Sequence, residues 1–410
     1  MKLKKLDELC DFISGLWTGK NPPFINVGVI RNTNFHKNGN LNFENIAELD
    51  VEVKQFKTRQ LKFGDIILEK SGGGPKQPVG RVCVFEKEDG QYSLSNFTSA
   101  IRIKNKNELD YKYLHYFLLN LYVTGKTEKI QTNSTGIRNL QLSLYKDFIV
   151  PVPSLPTQQK IVTKLEAIFA EIDIATAATE ANANNAEALF QSYLKEVFER
   201  RGEGWEVKKL KDITEKIGSG ATPRGGNESY KASGISLIRS MNVYDEGFYY
   251  PKLAFIDDAQ AKELDNVKVE NEDVLLNITG ASVARCCVVP EDVLPARVNQ
   301  HVSILRANKN IIIPKLIHYI LISPVHKKKL LSVGEDGGAT RQALTKAQLL
   351  EYEISFPSNL SSQLKLVEKI SNFYCYTSSI KNSYKEKIKN FPLLKHSILQ
   401  KAFSGELVKD

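Results

Sequence analysis

The sequence predicts a mixed α/β chain of the α+β kind: two globular units in tandem, each followed by a long helix, the two helices packing antiparallel as a coiled coil. Three observations predict this. First, IVPVPSLPTQQKIVTKL (149–165) returns as ISFPSNLSSQLKLVEKI (354–370), and Gln158, Lys160, Val162 and Lys164 reappear as Gln363, Lys365, Val367 and Lys369, 205 residues on. Second, Phe198 and Phe403 keep that same spacing. The stretch between carries no net insertion or deletion, as expected of a paired structural element and not of a loop. Third, the remainder consists of short β-branched runs punctuated by Gly, Asn and Pro, the pattern of strands in a curled, mostly β sheet.

Each unit opens on a related segment, KKLDEL (4–9) and KKLKDI (208–213). The runs IILEK, GRVCVF, VLLNIT and RCCVVP then read as strands. GDIILEKSGGGPKQPVGRVCVF (64–85) resembles EDVLLNITGASVARCCVV (272–289), and NFTSAIRI (96–103) resembles NQHVSILR (299–306), in apolar rhythm more than in polar identity. KYLHYFLLN (112–120) and KLIHYILIS (315–323) have helical apolar spacing, which places one short helix per unit near 110–121 and 313–323. The spacing within each globular part drifts by a few residues. The organisation expected is therefore a first domain over 1–153, a helix over 154–203, a second domain over 204–357 and a helix with tail over 358–410.

The long helices show a heptad seam. Ile161, Leu165, Ile168, Ile172 and Ala175 alternate steps of four and three, and a shift of 205 residues gives Leu366, Ile370, Phe373, Thr377 and Ile380. Small Ala175 and Ala186 correspond to bulky Ile380 and Phe391. About 30–40 residues of helix span roughly 45–60 Å. Two features argue against full length. ATAATEANANNAEA (175–188) is a poor helix interior, and Pro392 removes a helical donor. The expectation is that the long helices stop around 180–188 and 386–390, each followed by a shorter helix.

Composition limits the function. At 410 residues the chain holds two domains with their own cores; 42% hydrophobic and 25% charged residues describe an ordinary globular protein. No apolar run reaches the length that crosses a bilayer, and the N-terminal segment has no signal-peptide core, so a cytoplasmic protein without a membrane partner is expected. Five cysteines without CxxC spacing read as reduced thiols, and six histidines do not cluster with cysteines or carboxylates, so no metal site is expected. The net charge of +9 is compatible with a nucleic-acid partner but does not establish one.

The paired PxPxLxxQxxIVxKL-like segments, each leading into a long helix, and the closing SILQKAFSGELV (397–408) resemble the specificity subunit of type I restriction-modification systems. GSGATPRGG (218–226), SLIRSMNVY (236–244), NITGAS (277–282) and RVNQHVSILR (297–306) resemble target-recognition sequence of that family, and the resemblance covers essentially the whole chain. The proximal copy departs from it, running through KEVFERRGEGW (195–205) in place of the SGEL ending. The resemblance implies a non-catalytic subunit with two target recognition domains, each reading one half of a bipartite site in double-stranded DNA. It also implies spacer helices that dock methyltransferase subunits and, for cleavage, restriction-motor subunits. S-adenosylmethionine, ATP and Mg are then implied for those partners and no cofactor for this chain. A coiled-coil adaptor without DNA specificity is the alternative of a different class.

Reading DNA needs side chains that offer paired donors or acceptors to base edges, and cations and small polar groups for phosphates. In unit 1, Lys70, Ser71, Gly73, Lys76 and Arg81 lie in a glycine-rich loop between two predicted strands, and Lys20 lies in an earlier turn. The matching loop of unit 2 holds Asn277, Thr279, Ser282 and Arg285. A plain strand-connecting turn is the alternative for both. Before each spacer helix, TNSTGIRNLQL (132–142) offers Arg138 and Asn139, and GGATRQALTKAQL (337–349) offers Arg341 and Gln342; helix capping is the alternative there. Arg224, Arg239, Asn299, Gln300 and His301 complete the candidates in unit 2.

Some signals look catalytic. NPPF (21–24) matches the tetrapeptide by which adenine-N6 methyltransferases hold a flipped base, yet the chain lacks a glycine-rich strand-turn-helix for S-adenosylmethionine. KSGGGPK (70–76) lacks the G-K-[ST] ending of a phosphate loop. His115 and His318 recur in the short helices and read as core residues.

Overall fold

The computed structural model describes residues 2–16, 19–36, 39–74, 77–134, 136–223, 225–335 and 343–407. They divide into two compact units: unit 1, residues 1–179 with 386–410, and unit 2, residues 180–385.

Unit 1 begins and closes on one antiparallel ribbon, Lys2–Lys5 against Ile149–Val152. Its four-stranded sheet runs Cys10–Ser14, Thr98–Ile103, Asp65–Glu69, Val82–Phe85. The strands are apolar on consecutive residues because both faces are covered. Ile66, Leu68 and Ile101 join the core that holds Tyr113, Leu114 and Phe117 of a short helix. Ile67, Cys83 and Ala100 turn the other way, toward Ile30 and Phe35. A second sheet sets Phe24–Ile30 between antiparallel Ala47–Glu52 and parallel Tyr92–Leu94.

Unit 2 repeats this plan. The ribbon is Trp205–Lys209 against Glu353–Pro357. The four-stranded sheet runs Thr214–Ser219, Val302–Ala307, Val274–Asn277, Cys286–Val288, in the same order. Its second sheet sets Ile235–Ile238 between Ala254–Ile256 and Ala296–Val298, and adds Lys268–Val269. The short helices are Tyr111–Val123, capped by the Asp110 side chain, and Pro314–Ile322, which starts on proline where a donor is not needed. A further helix, Pro324–Glu335, follows in unit 2.

The glutamines that open the sequence echo have a structural role. Buried Gln158 accepts from the Asp110 N–H at 2.9 Å and donates to the carbonyls of Glu108 and Pro153, both at 2.9 Å. Buried Gln363 accepts from the Ile313 N–H at 3.0 Å and donates to the carbonyls of Ile311 and Pro357, both at 2.9 Å. One amide thus ties the start of each spacer helix to the start of the short helix, at a fixed position along the chain.

The long helices run unbroken, Leu155–Arg200 over 46 residues and Leu360–Phe403 over 44. The expected stops near 180–188 and 386–390 do not occur, because packing outweighs propensity. Thr176 and Thr179 satisfy their hydroxyls on the carbonyls of Ile172 and Ala175, and Ala183 and Ala186 are buried. Beyond Pro392 the distal helix is anchored in unit 1: Leu399 and Ala402 join the core, and Phe403 packs on Tyr113 and Phe117.

Within each unit the helices pair antiparallel. In unit 1, Lys164 meets the Leu407 carbonyl and Asp173 meets Lys395; in unit 2, Glu187 meets Lys381 and Tyr193 stacks on Phe373. Of the seam residues, Ile161, Leu165, Ile172 and Ile370 are buried, while Ile168, Leu366, Phe373 and Ile380 are half-buried.

Candidate nucleic-acid interface

The glycine-rich turn of unit 1 leaves the sheet at Glu69, whose N–H donates to the Arg81 carbonyl at 2.9 Å and whose carbonyl accepts from Gly80 at 2.9 Å. Lys70 and Ser71 donate to the Phe97 carbonyl, and the Lys70 carbonyl accepts from Leu140 at 2.8 Å. Ser71–Gly73 then becomes the edge of a three-stranded sheet with Ile137–Leu140 and Gln131–Ser134. Arg138 stands opposite Gly73 and Asn139 opposite Ser71, whose Oγ donates to Asn139 Oδ1 at 2.5 Å. The two candidate sets of unit 1 are therefore one surface. Gly72 turns it with φ +97°, and a Cβ there would lie 2.9 Å from Asn32 Nδ2.

Unit 2 repeats the backbone pattern. Asn277 donates to the Arg285 carbonyl and accepts from Ala284, both at 2.8 Å; Ile278 donates to the His301 carbonyl at 3.0 Å and accepts from Leu344 at 2.8 Å. Thr279 bridges Ala343, and Gly280 has φ +75°. Lys70 and Ile278 thus occupy equivalent places, as do Glu69 and Asn277, and Arg81 and Arg285.

The side chains differ. In unit 1, Lys70 is half-buried, which pulls its pKa down, and it has no ion pair among the described residues. Arg81 is held by Glu69, with Nε to Oε2 at 2.7 Å and Nη2 to Oε1 at 2.8 Å, beside the Phe35 ring. Arg138 pairs with Glu128 at 2.8 Å. Lys20 is exposed; its N–H and that of Asn21 donate to Glu52 at 2.7 Å, which holds that carboxyl below its usual range and ties NPPF to the sheet.

In unit 2, Asn277 and Asn299 are buried; Asn277 Nδ2 donates to the Ser240 carbonyl at 2.9 Å and Asn299 Oδ1 accepts from the His301 N–H at 3.1 Å. Thr279 Oγ1 and His301 Nδ1 lie 2.5 Å apart, and exposed Gln300 accepts from Thr222 Oγ1. Half-buried Ser282 ends a short turn, Gly280–Ser282, and Arg285 lies over the Tyr244 ring at 4.5 Å. Arg239 lies over Tyr230 at 5.1 Å and donates to the Lys252 carbonyl. Lys76, Arg224, Arg341 and Gln342 lie outside the described residues.

One candidate escaped the sequence reading. Arg31 precedes a one-turn helix, Asn32–Asn34, as Arg239 precedes Ser240–Asn242, and each backbone N–H donates to the closing asparagine, Asn34 at 2.9 Å or Asn242 at 3.0 Å. IRNTN (30–34) and IRSMN (238–242) carry that signal in the sequence. Arg31 is an exposed residue.

Among the described residues there is no group of three or more His, Cys, Asp or Glu side chains placed to hold a metal ion, and no helix is long and apolar enough to cross a membrane. His115 and His318 sit in the sheet-facing helices, where burial pushes their pKa values down to about 4 and about 3.

This surface of turns on a duplicated fold can be set beside known proteins. The family model for the type I restriction modification DNA specificity domain matches residues 1–183 and again 202–390. The chain is 24% identical to the EcoBI specificity subunit of Escherichia coli over 80% of this chain and 68% of that one. It is 21% identical to the StySPI specificity subunit of Salmonella potsdam over 84% and 74%. Its fold matches a chain from a structure of type I restriction-modification complex assembly and conformational transition, with a TM-score of 0.73, 19% identity and coverage of 99% and 98%. It also matches the HsdS subunit of Thermoanaerobacter tengcongensis, with a TM-score of 0.58, 18% identity and coverage of 99% and 97%. The chain belongs to the family of type I restriction-modification specificity subunits, non-catalytic components that confer DNA sequence specificity.

Proposed function

We propose that the chain reads a bipartite site in double-stranded DNA, unit 1 taking one half-site and unit 2 the other, while the spacer helices dock methyltransferase subunits and, with them, restriction-motor subunits. The observation that carries this reading is one backbone frame presenting two different sets of side chains. Lys70, Ser71, Arg138 and Asn139 border the turn in unit 1; Thr279, Ser282, Arg285 and His301 border it in unit 2. Different donors on one frame suit different base sequences. Arg31, Arg239, Lys20 and Gln300 extend the proposed contact, whereas buried Asn277 and Asn299 and paired Arg81 shape the turns. Exposed apolar side chains on the long helices support docking: Ile174, Leu393 and Leu394 in unit 1, and Leu189, Leu364 and Tyr376 in unit 2. S-adenosylmethionine, ATP and Mg belong to the partners in this scheme.

Selection of duplexes from a random-sequence library by the full-length chain tests the proposal. Enrichment of two short motifs at a constant separation is expected. A flat sequence profile would overturn it in favour of an adaptor without DNA specificity.

A further inference from the structure

The two equivalent turns carry an arginine at the same place, and its neighbour has changed. In unit 1 the neighbour is Glu69, whose side chain is 1% exposed and fully engaged by Arg81. Arg81 Nη2 also donates to the Asn32 carbonyl. In unit 2 the neighbour is Asn277, and its own Nδ2 donates to the Ser240 carbonyl, the counterpart of Asn32. The amide thus fills the place of the carboxylate and takes over the arginine's bond to that carbonyl. Asn277 Oδ1 is buried with no partner among the described residues, and Arg285 does not turn back to it. Arg285 lies instead over Tyr244, without an ion pair among the described residues. Stacking on an aromatic face leaves the in-plane N–H groups of a guanidinium available to a pair of acceptors.

Unit 1 makes the opposite choice one residue later. Its arginine is neutralised, but Lys70 carries a charge where unit 2 has apolar Ile278, which is 8% exposed. Among the described residues, each turn therefore has one cation without a carboxylate partner, an ammonium in unit 1 and a guanidinium in unit 2.

We propose that Lys70 in unit 1 and Arg285 in unit 2 are the cations these turns set against DNA, and that Glu69 or Asn277 determines which one is used. Arg81 is a positioning residue. This rests on the DNA-reading function proposed above.

The test uses the full-length chain, duplex selection from a random library and thermal melting. Asn277→Glu supplies Arg285 with the carboxylate that Arg81 has, and Arg285→Gln removes the charge at the surface. Both are expected to weaken binding roughly tenfold, the scale of one lost bidentate contact, with the melting temperature held for the surface variant Arg285→Gln. A loss confined to one base position of one half-site marks a base contact; a loss uniform across sequences, with a shallower salt dependence, marks a phosphate contact. Lys70→Gln is expected to act in the same way through the other half-site. Binding and motifs within twofold of wild type for Asn277→Glu and Arg285→Gln would overturn the proposal. A wild-type chain that selects no motif would instead remove the function on which it rests.

Discussion

Asp65 in unit 1 takes a bidentate pair from Arg102, and Asp273 in unit 2 takes the same pair from Arg306, with both carboxylates buried. Four residues further along the chain, at the end of the strand, the copies part, with buried Glu69 bound to Arg81 in one and buried Asn277 with a released Arg285 in the other. The first site orders the sheet and is the same in both units. The second borders the turn and differs. Divergence between the copies begins where the frame ends and the surface offered to a ligand starts, as expected if the two units share a fold and read different sequences.

The comparison is broken most sharply by removing the two equivalent arginines. Arg81→Ala leaves a buried carboxylate unpaired and is expected to cost about 3–5 kcal/mol. Arg285→Ala loses only a cation–π contact, about 1 kcal/mol or less. Urea titrations of the two variants would check this, and equal losses would mean that the turns do not differ as described.

The frame itself predicts equality. Gln158→Ala and Gln363→Ala each strand one N–H and two carbonyls at the junction of two helices. A loss of about 2–4 kcal/mol is expected from either. Hydrogen exchange should show it first at residues 108–110 for one variant and 311–313 for the other.

The smallest effect is a dependence on pH. His115 and His318 are held neutral by burial, with values near 4 and 3 against 6.5 for an unperturbed histidine. The unfolded chain binds protons first as pH falls through about 6.5, so it is favoured progressively until the folded histidines titrate. These two residues therefore leave stability flat above about pH 7 and lower it between about pH 6.5 and 4. Melting of His115→Gln and His318→Gln across that range should show a shallower fall than wild type.

Much of the frame was legible in the sequence because it rests on local spacing. The Gln158 and Gln363 echo marked a junction, and the apolar rhythm marked strands and the helices Tyr111–Val123 and Pro314–Ile322. The candidate turns were legible as gaps between strands, glycine-rich in unit 1. That Ser71–Gly73 pairs with Ile137–Leu140 was not, since only the folded sheet brings the two together. Nor was the role of Arg81 legible. Glu69 lies at the end of an apolar run and its partner twelve residues on, and nothing local marks them as a pair. The helix stops were misread because Asn, Thr and Pro392 count against a helix in isolation, while anchors on both sides outweigh them.

Exchanging residues 206–355 for the same region of a family member with a different specificity tests the division of reading between the units most directly. Duplexes selected by the chimera should keep one wild-type half-site and replace the other. Replacement of both half-sites, or of neither, would contradict the account.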